Sequence, residues 1–161
     1  MKRNLKIYKT PEFNITTGYL KPGIHLMTIN ELSTHPILGA TPERKQLIKS
    51  LKLACTVYWD FDITEIYANG SFATMKQIPA DIDGYVQVSI KSSNFKELIR
   101  SGSVWGNFAG KNNHNDKYPM WYEHKIEFYL YDPDLKNPFD ASHFFTHSRE
   151  GIERGIIKII R

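Results

Sequence analysis

The chain has 161 residues, of which 41% are hydrophobic and 24% charged, an ordinary balance for a soluble domain, with a formal net charge of +4. That length suits one domain with a core of its own, needing neither metal nor disulfide staples, and the lone Cys55 excludes an internal disulfide. The basic balance permits a polyanionic partner such as RNA or a nucleotide without requiring one, and no segment approaches the roughly 20 apolar residues of a membrane span.

The first residues, Met-Lys-Arg-Asn-Leu-Lys-Ile, lack the apolar run of a signal peptide, so a cytoplasmic protein is expected. Residues 1–30 read as a weakly alternating start with a Lys21-Pro-Gly turn, and 31–41 as irregular, which makes 1–40 an N-terminal extension. A helix follows. Thr41 caps it, Pro42 suits its first turn and Glu43 complements its dipole; Leu47, Ile48, Leu51, Ala54, Cys55 and Tyr58 recur at helical spacing as its buried face. Cys55 reads as a small core residue. Asp60-Phe-Asp ends the helix, Glu65–Asn69 is a short strand, Gly70-Ser71 turns the chain, and Phe72–Lys76 is predicted as a short helix. Ile82–Ile90 is the clearest strand, and Asn94 is read as the cap of a helix running to Arg100. Residues 101–122 form a long loop, Lys125–Tyr131 an alternating strand, and Gly155–Arg161 a last strand after an uncertain Ser142–Arg149. The whole is an α+β arrangement: a core of residues 41–131 with helices on a small mixed sheet, and residues 132–161 as a C-terminal extension.

Period-two alternation places Asp81, Asp83, Tyr85, Gln87 and Ser89 on one face of the clearest strand, and Ile82, Val86, Val88 and Ile90 on the other, with Gly84 between. The Cα atoms of Asp81 and Asp83 are then roughly 6.5–7 Å apart. Charges that close repel unless a cation joins them, and hard divalent ions such as Mg²⁺ prefer such oxygen ligands. In the later strand Ile126, Phe128 and Leu130 face the core while Lys125, Glu127 and Tyr129 point away, so Glu127 completes the cluster if its strand neighbours that of Asp83. An isolated Asp-x-Asp is more often a turn residue and a solvated strand residue. The upstream Gly70-Ser71, whose amides and hydroxyl can cradle phosphate oxygens, makes this order of parts rarer.

Gly70-Ser71, Asp81-Ile-Asp83 and Glu127 together resemble the signature of the DNA polymerase beta-like nucleotidyltransferases, above all their minimal single-domain members. Looser likenesses in "GIHLMTINEL", "HKIEFYL" and "GIIKII" point to a poorly characterised bacterial family of short proteins of that type. The resemblance implies a nucleotidyltransferase-like fold. Asp81, Asp83 and Glu127 would be the catalytic and metal-binding residues for Mg²⁺ (or Mn²⁺), with Gly70, Ser71 and Lys76 on the nucleotide. The reaction would move a nucleoside monophosphate from an NTP to a hydroxyl of an RNA or protein acceptor, releasing pyrophosphate. The acceptor would be held by a homodimer partner, another protein or the 101–122 loop. The sequence departs from the pattern in lacking arginine soon after Gly-Ser, where Lys76 is the nearest substitute, and in placing glutamate at 127 and glycine at 84.

His143 and His147 have the i, i+4 spacing of a metal pair but no accompanying glutamate, and read as surface or packing residues. His124 reads as a core residue on the apolar face of its strand. Trp105, Phe108 and Trp121 either stack on a base or pack over the sheet edge, while Lys111 and Lys117 would attract phosphate. Two rival readings stand beside the enzyme: a catalytically inactive binding or regulatory module, such as a toxin–antitoxin component, and a small RNA-binding domain indifferent to both aspartates.

Overall fold

The computed structural model describes residues 5–111, 116–136 and 140–161, so residues 112–115 of the predicted loop and 137–139 of the predicted C-terminal extension lie outside the described residues. The longest helix, α2 (Pro42–Asp60), follows two short elements, β2 (Ile24–Thr28) and α1 (Ile29–Thr34), with β1 (Ile7–Tyr8) before them. The chain continues through β3 (Glu65–Asn69), β4 (Ile82–Gln87), α3 (Ser93–Arg100), α4 (Pro119–His124), β5 (Ile126–Tyr131), α5 (Ala141–Phe145) and β6 (Ile156–Ile160).

α2 forms for the reasons its sequence gives. The Thr41 hydroxyl accepts the Arg44 amide at 3.3 Å, Pro42 occupies the first turn, and the six predicted core positions are all buried. Cys55 is enclosed among them, and burial pushes its thiol up to about 12. The stripe rests on one face of a six-stranded sheet of order β1-β2-β6-β3-β4-β5, against Ile66, Ile82, Phe128, Ile157 and Ile159. The sheet is mixed: β1-β2, β2-β6 and β4-β5 are parallel, β6-β3 and β3-β4 antiparallel. The architecture is therefore α+β. A smaller cluster, Tyr67, Tyr85, Ala141, Phe145 and Ile156, covers part of the opposite face. No helix among the described residues is long and apolar enough to cross a membrane.

Several expected elements change. Residues 1–40 are not simply irregular: β2 enters the sheet, and α1 is closed by a capping box in which Thr28 and Glu31 satisfy each other's backbone amides. The last strand is no appendage. Ile156-Ile-Lys-Ile-Ile160 carries apolar residues on both faces, and β6 sits between β2 and β3 in the middle of the sheet. The short helix expected over Phe72–Lys76 is instead one 3₁₀ turn over Gly70–Ala73, and the chain extends from Thr74. β4 ends at Gln87 rather than Ile90, and the cap of α3 is Ser92, whose hydroxyl accepts the Phe95 amide, rather than Asn94. The predicted 101–122 loop contains a 3₁₀ turn at Val104–Gly106 and most of α4. His124 ends α4 and stacks on Trp105 at 4.6 Å instead of lying on a strand face.

Gly84 has a packing reason. A Cβ there would stand 1.9 Å from the Tyr67 carbonyl oxygen and 2.9 Å from the Phe128 ring, so β3 closes on β4 only across a bare backbone. Gly84→Ala should therefore destabilise the fold by about 2 kcal/mol, read as a lower urea midpoint. An unchanged midpoint would show that the two strands have room to part.

Candidate functional site

Strand register brings the motif residues together. Asn69 at the end of β3 stands opposite Asp83, and Asp83 stands opposite Glu127 across the parallel pair β4-β5. The turn after β3 then folds over the first carboxylate. Gly70 has φ of +70°, and a Cβ there would lie 2.7 Å from Asp83 Oδ2, so glycine answers both the backbone and the space. Ser71 follows, half-buried, its carbonyl accepting the Thr74 hydroxyl at 2.7 Å.

The strip behind this turn is held by a residue that the sequence reading passed over. Arg44 is fully buried on α2, and its guanidinium donates to the carbonyls of Phe72 and Thr74, each at 2.8 Å, and of Lys76. Burial pulls it down to about 10, which leaves it charged at neutral pH. A signal existed: Arg44 falls in helical register with Leu47, Ile48 and Leu51 on the apolar stripe.

The three acids differ in their surroundings. Burial pushes the Asp83 carboxyl up to about 6; the charges of Asp81 and Glu127 add to the push, and Lys117 and Lys111 oppose it. Glu127 is buried without exposure, which by itself would raise it. Hydrogen bonds from Lys117 at 2.7 Å and Lys111 at 3.0 Å, with the Tyr118 amide at 3.2 Å, outweigh burial and hold its carboxyl below the usual range. Asp81 precedes β4, and its Oδ2 accepts the Trp121 indole N–H at 2.9 Å. The expected triad is thus a register pair, Asp83 and Glu127, with Asp81 engaged by Trp121. Among the described residues no group of three acidic, histidine or cysteine side chains is arranged to hold a metal ion. The donor chemistry still suits a hard divalent cation at the pair: two carboxylates face each other across adjacent strands, and the charge of Asp83 is incompletely balanced. Lys117 competes for Glu127.

A cleft of about 1030 Å³ opens over these groups. Gly70, Ser71, Lys76, Asp83, Lys117 and Glu127 line it, Lys76 as an exposed side chain. The segment from α5 to β6 also lines it, with His143, His147, Arg149, Glu150 and Arg154. His143 and His147, expected as surface or packing residues, stand in the lining of this cleft with their rings 4.2 Å apart. Of the loop aromatics, Trp105 is a packing residue: it is buried, and its carbonyl accepts the Tyr58 hydroxyl at 2.8 Å. Phe108 packs between Phe95 and Tyr118. Arg154 had no local signal, because only the return of β6 to the sheet centre carries it to the site.

A family model described as a family of unknown function (DUF6932) matches residues 11–160. No curated protein and no solved structure matches the chain.

Proposed function

We propose that this chain, which belongs to the DUF6932 family, is a nucleotidyltransferase with a nucleotidyltransferase-like fold, moving a nucleoside monophosphate from an NTP to a hydroxyl acceptor on RNA or protein. The observation that carries the reading is the register pair Asp83–Glu127, with the Gly70-Ser71 turn folded over Asp83, in a cleft that Arg149 and Arg154 also line. In the proposed reaction the acceptor oxygen bonds to the α-phosphorus, the bond from that phosphorus to the bridging oxygen breaks, and pyrophosphate leaves. The Gly70 and Ser71 amides and the Ser71 hydroxyl orient the departing phosphates, and Lys76 adds charge at the rim. Asp83 and Glu127 would hold Mg²⁺ or Mn²⁺, with Asp81 joining them on release from Trp121. A bound divalent ion supplies charge neutralisation at the attacking and leaving oxygens. Glu127 takes the acceptor proton once Lys117 moves off its carboxylate.

The test is incubation with each labelled NTP, Mg²⁺ or Mn²⁺, and pools of tRNA and protein. Label should pass to one pool, and Asp83→Ala should cut transfer by about a hundredfold or more while the fold persists. Transfer that ignores Asp83→Ala would dismiss the reading. One observation favours a second reading, a binding module without turnover: Lys111 and Lys117 already neutralise Glu127 with no need of a metal. That module predicts NTP binding indifferent to Mg²⁺.

A further inference from the structure

Arg154 stands apart from the other cations of the cleft in how it is fixed. Its amide donates to the Thr146 carbonyl at 2.7 Å, and the next amide, of Gly155, donates to Leu20 at 2.9 Å. Gly155 cannot be anything larger without displacement, since a Cβ would meet the Lys21 carbonyl oxygen at 2.3 Å. The backbone of Arg154 is therefore clamped on both sides, immediately before β6. The side chain is anchored as well: Nε donates to the Phe145 carbonyl at 3.3 Å, and the guanidinium carbon lies 5.8 Å from the centre of the Tyr19 ring.

Neither terminal nitrogen of this half-buried guanidinium has a hydrogen-bond partner among the described residues. Burial works against its charge, and Tyr19, Asp83 and Glu150 are the groups near enough to support it. A fork with one edge anchored and its remaining donors open to a cleft is preorganised for two oxygens of one planar or tetrahedral anion. Lys76, exposed at the rim, and Arg149, exposed in a turn, have no such anchoring.

We propose that Arg154 is a further phosphate-binding residue of the cleft, its guanidinium taking two oxygens of the terminal phosphates of a nucleoside triphosphate whose chain the Gly70-Ser71 turn also contacts. The inference rests on the reading of the cleft as a nucleotide site and names the residue that would tell a triphosphate from a monophosphate there. A di- or triphosphate chain carries terminal oxygens beyond its α-phosphate for the fork to take, and a nucleoside monophosphate carries none.

The experiment is calorimetric titration of the full chain with inorganic tripolyphosphate, an NTP and the matching NMP, each with and without Mg²⁺. Wild type is compared with Arg154→Gln and Arg154→Lys, and thermal melts verify that both variants fold. Arg154→Gln should weaken tripolyphosphate and NTP binding by about tenfold or more and leave NMP binding within about twofold. Arg154→Lys should fall between, because a point charge lacks the fork. The proposal is overturned if the wild type binds no tripolyphosphate under either condition, or if Arg154→Gln binds it as wild type does. Equal losses for NMP and NTP, which a structural role would give, or full recovery in Arg154→Lys, also overturn it. Arg154-dependent tripolyphosphate binding in a protein that transfers no label would instead keep this inference and remove the enzymatic reading.

Discussion

Arg44→Met should lower the stability of the fold by about 4 kcal/mol, the largest single-residue loss expected here, shifting the thermal midpoint down by roughly 10 °C. Methionine nearly matches the length of the arginine stem, so the core keeps its volume. What is lost is the donor set. The carbonyls of Phe72, Thr74 and Lys76 all point at the guanidinium; each loses its donor, the Phe72 carbonyl as a buried acceptor and the other two as half-buried ones. Removing the buried charge returns part of the cost, since the guanidinium is itself poorly solvated, but the orphaned carbonyls outnumber it. Arg44→Lys should recover only a fraction, because one ammonium cannot span carbonyls that lie on three different residues. Chemical denaturation monitored by far-ultraviolet dichroism measures the change. A loss below about 1 kcal/mol would mean that the 72–76 strip finds water instead of the helix. The strip connects Ser71 to Lys76, so the same variant should weaken phosphate binding even where the protein remains folded.

Arg44 also shows where sequence reasoning runs out. Local patterns carried α2, β3, β5 and the facing of Ile82, Val86 and Phe128, because alternation and helical spacing are properties of neighbours in the chain. Asp83 and Glu127 could be set on one face from alternation alone, and their adjacency followed once β4 and β5 were taken as neighbours. Other features depend on partners far away. β2 pairs with β6 across more than a hundred residues, with no turn between them to announce it, so two ends of the chain looked like extensions. Lysines are ordinarily solvated, and nothing in the 101–122 stretch told that Lys111 and Lys117 would close on a buried glutamate. The Thr28–Glu31 box is a Thr-x-x-Glu pattern present in the sequence, but it opens a helix of only six residues, too short for helical periodicity to draw the eye to it.

Asp83→Asn should raise the stability of the metal-free protein by about 3 kcal/mol at pH 7.5 while removing any metal-dependent transfer. The folded carboxyl stands at about 6 against an ordinary 3.8, raised by burial first and by the charge of Asp81 next. A carboxyl raised by folding binds its proton more tightly in the native state. Its contribution is therefore most favourable below about 3.8 and is lost as the pH climbs through about 6. Asparagine has no charge to lose, so the advantage of the variant should shrink to about 1 kcal/mol at pH 4.5 and level off above neutrality. Added Mg²⁺ should stabilise the wild type at pH 7.5 and leave the variant unmoved, since the cation supplies what Asp83 lacks. Urea titrations at the two pH values, with and without Mg²⁺, give all four numbers. A variant no more stable than wild type at pH 7.5 would show that Lys117 and Lys111 already balance Asp83. The acid would then bear no cost for a cation to relieve, and the inert module would become the better account of the cleft.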